Sequence, residues 1–236
     1  MSQLFYSNMI DDSFITLPIE EASHAIKVLR KNKGDIIDVT DGKGNLYHTI
    51  IENDDINRCT LKIISVKENY GRKDYFTHIA ISPPKSHDRL ELFIEKSVEI
   101  GINEISFIMT EYSERNNIKL NRILKRSISA MKQSLNIYLP KINDIVNLDE
   151  FINNCNNNEK YIAHQGANNN HLVNSAKPKG DYCILIGPEG GFSDFELANS
   201  FKYQFKPVIL GFSRLRTETA AISACHILNL INELNV

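Results

Sequence analysis

The sequence of 236 residues lacks several features that would place it in a special class of protein. No stretch approaches the roughly 20 apolar residues that a membrane-spanning helix needs. Residues 1–14 contain neither the basic segment nor the apolar segment of a signal peptide. The 4 cysteines are far apart and form no C-x-x-C pair. We therefore expect a cytoplasmic protein with reduced thiols, without a metal site and without a membrane partner.

An excess of positive charge is also lacking, because the formal net charge is -2. Two segments, residues 27–33 and residues 116–134, nevertheless contain several lysines and arginines and no acidic residue. Either segment alone is explained by a solvated helix face. Together, on a slightly acidic protein, they favour a polyanionic partner.

The first 70 residues have the pattern of a small β domain. Residues 35–39, 45–52 and 59–66 are predicted strands separated by polar or glycine-containing turns, and residues 20–30 are a predicted helix. Strands this short and closely spaced favour a small barrel or sandwich. The polar, glycine-containing segment 68–73 is the predicted domain boundary.

The pattern after this boundary changes to strands that alternate with helices. Such alternation predicts an α/β domain with a largely parallel sheet. The predicted strands are residues 75–81, 105–109, 161–163, 183–186 and 208–210, and the predicted helices are residues 88–100, 120–135 and 217–234.

Two segments have the composition of ligand-binding loops. In residues 184–193 a strand runs into Gly-Pro-Glu-Gly-Gly, after which Ser193 and Glu196 have the spacing of a capping box. In residues 209–221 a second strand gives way to a glycine-bearing loop and a helix. Ligands of α/β sheets lie beyond the carboxyl ends of the strands, so we expect these two loops to flank one pocket.

The composition of the loops indicates the kind of ligand. Glycine allows backbone N–H and C=O groups to approach a ligand closely. Glu189 would repel a pyrophosphate, whereas a cationic adenosyl compound without phosphate, such as S-adenosylmethionine, is compatible with it. Two simpler interpretations remain open, since the first loop has the sequence of a tight turn and Thr217 has the position of a helix cap.

The two motifs together resemble a known family. I-G-P-E-G-G-F at residues 186–192, followed by L-G-x-x-x-L-R-x-E-T-A at residues 210–220, is similar to the bacterial 16S rRNA (uridine-N3)-methyltransferases of the SPOUT superfamily. Residues 24–35 resemble the PUA-like domain of that family, and residues 85–101 resemble its first methyltransferase helix. The chain departs from the family pattern at Leu135 and Asn136, where a small residue and an arginine are common.

The resemblance implies a fold, a cofactor and a reaction. It implies a PUA-like RNA-binding β-barrel over residues 1–70 and an α/β trefoil-knotted SPOUT methyltransferase domain over residues 74–236. The implied reaction is S-adenosylmethionine-dependent methylation of a uridine N3 atom in 16S rRNA, free or in the assembled small ribosomal subunit. The implied assembly is a homodimer that uses the apolar final helix, although that apolar face has a second interpretation as a cover for the sheet.

Site residues follow from the motifs and the resemblance. Arg216 is the candidate that stabilises the negative charge of the reacting base, and Glu189 is a candidate base or orienting group. The alternative for Arg216 is a salt bridge to Glu189 or Glu218 that braces the loops. The predicted cofactor-binding residues are His164, Ile186, Gly187, Glu189, Gly190, Gly191, Leu210, Gly211, Leu215, Arg216, Thr217, Thr219 and Ala220. The predicted RNA-binding residues are Arg30, Lys33, Arg89, Arg115 and Lys132.

Two other functions remain open at this point. Many relatives in the superfamily methylate a ribose 2′-hydroxyl, of rRNA or tRNA, which requires activation of an alkoxide rather than deprotonation of an imide. A non-catalytic RNA-binding assembly factor would keep the PUA-like domain and need no cofactor.

Overall fold

The computed structural model of the protein describes residues 3–166 and 170–234. Within these residues the chain forms two compact units. The first unit consists of Met1–Arg72 with Ile128–Leu139, and the second consists of Lys73–Ser127 with Pro140–Val236. The predicted sequence ranges of the two domains did not include this return of residues 128–139 to the first unit.

The first unit is built on one mainly antiparallel sheet with the strand order β1-β4-β5-β6-β3-β2. A short helix, α1, continues without a break into one π-helical turn, so the predicted helix over residues 20–30 is right in position but ends earlier, with Val28. The elements are β1 (Leu4–Tyr6), β2 (Met9–Ile10), β3 (Phe14–Thr16), α1 (Ile19–Ser23), the π-helical turn (His24–Val28), β4 (Ile36–Thr40), β5 (Leu46–Asn53) and β6 (Thr60–Lys67).

The short connection between β1 and β2 forces this sheet to curl. The two strands lie at opposite edges of the order, yet only Ser7 and Asn8 join them. A chain of that length spans at most about 11 Å, whereas a flat six-stranded sheet is about 24 Å wide. Ser7 bridges the gap, because its N–H donates to the Thr40 carbonyl (3.1 Å) and its Oγ donates to the Thr16 carbonyl (2.6 Å). The predicted small barrel is confirmed.

Residues 128–139 join the first unit through backbone contacts and one ion pair. The Leu139 N–H donates to the Gly42 carbonyl (2.8 Å), and the Thr40 hydroxyl donates to the Ile137 carbonyl (3.2 Å). The Lys132 ammonium pairs with the carboxylate of Glu21. The helix over Leu120–Gln133 therefore has its C-terminal end in the first unit.

The second unit is an α/β structure whose seven described strands are all parallel, in the order β11-β13-β10-β12-β7-β8-β9. The predicted α/β class with a largely parallel sheet is confirmed. The elements are β7 (Phe76–Ile81), α2 (His87–Ile100), β8 (Glu104–Met109), α3 (Leu120–Gln133, which continues into the first unit), β9 (Lys141–Asn147), α4 (Leu148–Asn154), β10 (Glu159–Ala163), β11 (Asn170–His171), α5 (Leu172–Ser175), β12 (Asp181–Ile186), α6 (Asp194–Lys202), β13 (Lys206–Ile209) and α7 (Thr217–Glu233).

The final helix, α7, covers one side of this sheet. It packs against α2 and against β7 and β12, with Ala221, Ala224, Cys225 and Leu228 fully buried. The interpretation of this face as a cover for the sheet is therefore correct. His226, which its apolar neighbours predict to be a core residue, is exposed, so that prediction is wrong. Over the described ranges, no helix combines the length and apolar character needed to cross a membrane.

Candidate active site

Two loops follow parallel strands at one edge of the sheet in the second unit. Strands β12 and β13 both pair in parallel with β10, which lies between them. Their carboxyl ends therefore lie at the same edge. The 187–192 loop follows β12, and the 210–216 loop follows β13. The sequence predicts this juxtaposition.

Two hydrogen bonds join these loops directly. The Thr217 hydroxyl, at the start of α7, donates to the Gly187 carbonyl (3.2 Å). The Arg214 guanidinium donates through Nη2 to the Glu189 carbonyl (2.8 Å). Thr217 is buried, and its side chain is not the cap of its own helix but a link to the other loop.

A third strand end supports the 210–216 loop. Gln165 lies just after β10, and its Nε2 donates to the carbonyls of Ser213 (3.2 Å) and Gly211 (3.4 Å). Sequence reasoning missed Gln165. The rule that gave the other two loops would have found it, because residues 161–163 are a predicted strand of the same sheet.

The loops enclose a cavity of about 610 Å³, a size typical of small-molecule sites. Most of the predicted cofactor-binding residues line it, namely His164, Ile186, Gly187, Glu189, Gly191, Leu210, Leu215, Arg216, Thr217 and Ala220. The predicted residues Gly190, Gly211 and Thr219 lie outside the lining. The lining residues that were not predicted as cofactor contacts are Arg89, Ala163, Gln165, Pro188, Phe192, Val208, Ile209 and Arg214.

Glycine in the 187–192 loop is required by the packing of the protein itself. A Cβ atom on Gly187 would lie 3.0 Å from the ring of Phe192, and one on Gly190 would lie 3.0 Å from the Cβ of Tyr112. Gly191 has a φ of 79°, which side chains disfavour. Gly190 is therefore explained by its neighbour Tyr112, although it does not line the cavity.

A capping box fixes the exit of this loop into α6, as predicted. The Ser193 Oγ accepts a hydrogen bond from the Glu196 N–H (3.4 Å), and Glu196 Oε2 accepts one from the Ser193 N–H (2.9 Å). Glu196 Oε1 also accepts a hydrogen bond from the Glu111 N–H (2.8 Å). The buried Glu196 carboxylate thus ties the start of α6 to the segment that follows β8.

Charged groups at the mouth of the cavity are arranged around Arg89. Its Nη1 lies 3.8 Å from Glu189 Oε1, and its Nε lies 3.6 Å from Oε1 of the buried Glu218. The alternative interpretation of Arg216, a brace to Glu189 or Glu218, therefore describes Arg89 instead. Arg216 is exposed at the N-cap position of α7 and has no ion pair within the described residues.

The predicted RNA-binding residues are divided between the two units. In the first unit Arg30 and Lys33 are exposed, and Lys132 is paired with Glu21. In the second unit Arg89 lines the cavity. Their contact with RNA stays a prediction.

Arg115, the fifth predicted RNA-binding residue, is held beside the start of α2. Its Nη1 lies 2.9 Å from His87 Nδ1, and its Nη2 donates to the Lys85 carbonyl. These bonds fix the guanidinium in place and leave it half-buried. Its contact with RNA also stays a prediction.

The fold and the cavity define an α/β protein with a cavity of small-molecule size between glycine-bearing loops at the carboxyl edge of a parallel sheet. A family model described as an RNA methyltransferase domain matches residues 72–229, and one described as an RNA methyltransferase PUA domain matches residues 17–64. The chain therefore belongs to the RNA methyltransferase family with an N-terminal PUA-like domain and a C-terminal α/β methyltransferase domain. The trefoil knot stays a prediction.

Similar proteins support this assignment. A crystal structure of a probable rRNA methyltransferase from Porphyromonas gingivalis is 36% identical, covers 99% of this chain and 100% of that one, and superposes with a TM-score of 0.93. Ribosomal RNA small subunit methyltransferase E from Neisseria gonorrhoeae, bound to S-adenosyl methionine, is 26% identical, with 98% coverage of each chain and a TM-score of 0.88. Ribosomal RNA small subunit methyltransferase E 1 from Borreliella burgdorferi is 30% identical over 89% of this chain and 90% of its own length.

Proposed function

We propose that this protein uses S-adenosylmethionine to methylate the N3 atom of a uridine in 16S rRNA. The observation that carries the proposal is the cavity of about 610 Å³ between the 187–192 and 210–216 loops. A relative of known structure that superposes over 98% of this chain binds S-adenosyl methionine, which supports the choice of cofactor.

The residues around the cavity fit this cofactor. Ile186, Leu210 and Leu215 provide apolar surface for an adenosyl group. Glu189, whose side chain is 40% exposed, provides negative charge near a cationic sulfonium. When bound, the cofactor supplies an electrophilic methyl group.

Positioning and electrostatics account for the chemistry that the protein must supply. The imide N3 of uridine loses its proton to solvent water during transfer, and negative charge develops on the flanking O2 and O4 atoms. The exposed Arg216 guanidinium, which lines the cavity, stabilises that charge. Glu189 faces Arg89 at 3.8 Å, which supports a role in shaping the loop. Most of the acceleration comes from holding N3 in line with the methyl group.

The RNA is held by both units in this proposal. The PUA-like unit contributes exposed cations, including Arg30 and Lys33, that contact phosphates. A target uridine within a helix is flipped out of the stack at a cost of about a few kcal/mol. The active form is a homodimer, and light scattering of the purified protein measures its mass directly.

A methyl-transfer assay tests the proposal. Small ribosomal subunits and free 16S rRNA that lack the modification are incubated with the protein and the cofactor, and the nucleosides are identified by mass spectrometry. We expect 3-methyluridine. Formation of a 2′-O-methylnucleoside instead would establish the ribose-methylating alternative, and absence of cofactor binding in calorimetry would establish a non-catalytic assembly factor.

A further inference from the structure

The ring of Phe212 is the most exposed large apolar group among the described residues. It is 99% exposed, although it belongs to the loop that lines the cofactor cavity on one side. An aromatic side chain in full contact with water gains nothing for folding, because none of its apolar area is buried. Its position beside the cavity therefore points to a contact made with something that binds there.

The backbone on both sides of Phe212 is held in place. The carbonyl before it belongs to Gly211 and the one after it to Ser213, and Gln165 Nε2 donates to both, at 3.4 Å and 3.2 Å. The backbone that carries the ring is therefore held in place by hydrogen bonds to Gln165. A group presented in this way loses little backbone entropy when a ligand contacts it.

The charges around Phe212 are those of a nucleic-acid contact. The 210–216 loop contains Arg214 and Arg216 and no acidic residue. Arg214 donates to the Glu189 carbonyl, which is uncharged, and no carboxylate within the described residues pairs with Arg216. Both side chains are exposed, and both arginines lie within four residues of Phe212 in the sequence.

We infer that Phe212 stacks on an unpaired base of the RNA substrate beside the cofactor cavity, while Arg214 faces a neighbouring phosphate. Every base has a π face that an aromatic ring can cover, and single-stranded RNA is recognised by stacking combined with cationic contacts. This inference rests on the proposed function, since it assigns part of the surface on which the substrate of that reaction binds.

Steady-state kinetics of Phe212 variants test the inference. Phe212→Ala should raise the KM for RNA between about 5-fold and about 150-fold, the range that corresponds to the loss of one base–aromatic stack. Phe212→Tyr should retain the wild-type KM, and Phe212→Leu should not, because it keeps apolar area without a π face. The affinity for S-adenosylmethionine should be unchanged in all three. The control is Phe201→Ala, which removes a ring that is 43% exposed near the end of α6.

Tryptophan fluorescence provides a direct readout of the stack. The sequence contains no tryptophan, so Phe212→Trp introduces a single emitter. Stacking on a base should quench its emission as RNA is added, and the midpoint of the titration measures the Kd for RNA. Tryptophan emission that stays unchanged at a saturating RNA concentration would overturn the inference. Emission that instead changes with protein concentration alone would also overturn it, because the ring would then contact a second copy of the chain.

The inference and the proposed function fail in different ways. If the wild-type protein transfers no methyl group to rRNA, the proposed function is wrong. If the wild-type protein is active and Phe212→Ala has an unchanged KM for RNA, only the stacking contact is wrong.

Discussion

Substitution of Gly187 by alanine tests whether the cavity is shaped by the packing of its own loop. The added Cβ would lie 3.0 Å from Cε2 and 3.1 Å from Cδ2 of the buried Phe192 ring. The ring must move by a few tenths of an ångström within a packed cluster. Overpacking of this kind costs about 1–3 kcal/mol of unfolding free energy. For a chain of this size the melting temperature should fall by about 2–12 °C.

Gly211→Ala is the matched control in the other loop. A Cβ there meets no atom within 4 Å, and the backbone of Gly211 is outside the left-handed region. Its unfolding free energy should be unchanged, or higher by up to about 1 kcal/mol because alanine restricts the unfolded chain. Urea unfolding followed by circular dichroism measures both variants.

The cofactor provides a second readout for the same pair. At a concentration of S-adenosylmethionine 100 times its Kd, binding stabilises the folded protein by about 2.7 kcal/mol. A tenfold weaker Kd in Gly187→Ala reduces that gain to about 1.4 kcal/mol. Wild-type unfolding free energy and wild-type cofactor affinity in Gly187→Ala would refute the reasoning. An equal loss of unfolding free energy and of cofactor affinity in Gly211→Ala would refute it as well.

Three further predictions concern the site, a helix end and the thiols. Arg216→Ala should bind S-adenosylmethionine normally in calorimetry and lose about 10²- to 10³-fold in kcat, and unchanged kcat would reject its role. Leu135→Gly should raise the unfolding free energy by about 1 kcal/mol in urea unfolding, because Leu135 has a φ of 56° after α3; Leu135→Ala, which keeps the Cβ, should not. Iodoacetamide at pH 8 should label Cys155 before Cys225 in mass spectrometry, since a hydrogen bond from the Cys183 thiol lowers the pKa of Cys155 while burial raises the pKa of Cys225 to about 12. Labelling in the reverse order would contradict that assignment.

The departure at Leu135 shows how a sequence difference acquires a physical meaning. The Leu135 N–H donates to the Lys132 carbonyl and the Asn136 N–H donates to the Met131 carbonyl, the two bonds of a Schellman motif at the end of α3. That motif places residue 135 in the left-handed backbone conformation, which glycine adopts with the least strain. A glycine at position 135 would therefore end the helix with less backbone strain than Leu135.

The charge environment of the site was only partly predictable. The sequence indicated the two loops, because strand, glycine loop and helix follow one another locally. It assigned the carboxylates Glu189 and Glu218 to Arg216 as one alternative, since Glu218 lies two residues after Arg216 and Glu189 lies in the other predicted loop. In the structure both carboxylates lie beside Arg89 instead. Arg89 lies on the first helix of the second unit, 100 residues before Glu189 and 129 residues before Glu218.

The same limit applies to Lys132. Its segment contains no acidic residue, and a contact with RNA phosphate is the natural prediction. The structure pairs it with Glu21, 111 residues earlier in the chain. Local composition describes a helix face correctly and leaves its distant partners undetermined.

The sequence by itself determined the α/β alternation, the capping box at Ser193 and the two glycine-bearing loops, because each depends on residues only a few positions apart. Tertiary structure alone decided the curl of the first sheet, the return of residues 128–139 to the first unit and the partners of Arg89. Those features depend on which distant segments pack together, and backbone hydrogen bonds and ion pairs between such segments leave no periodic pattern in the chain.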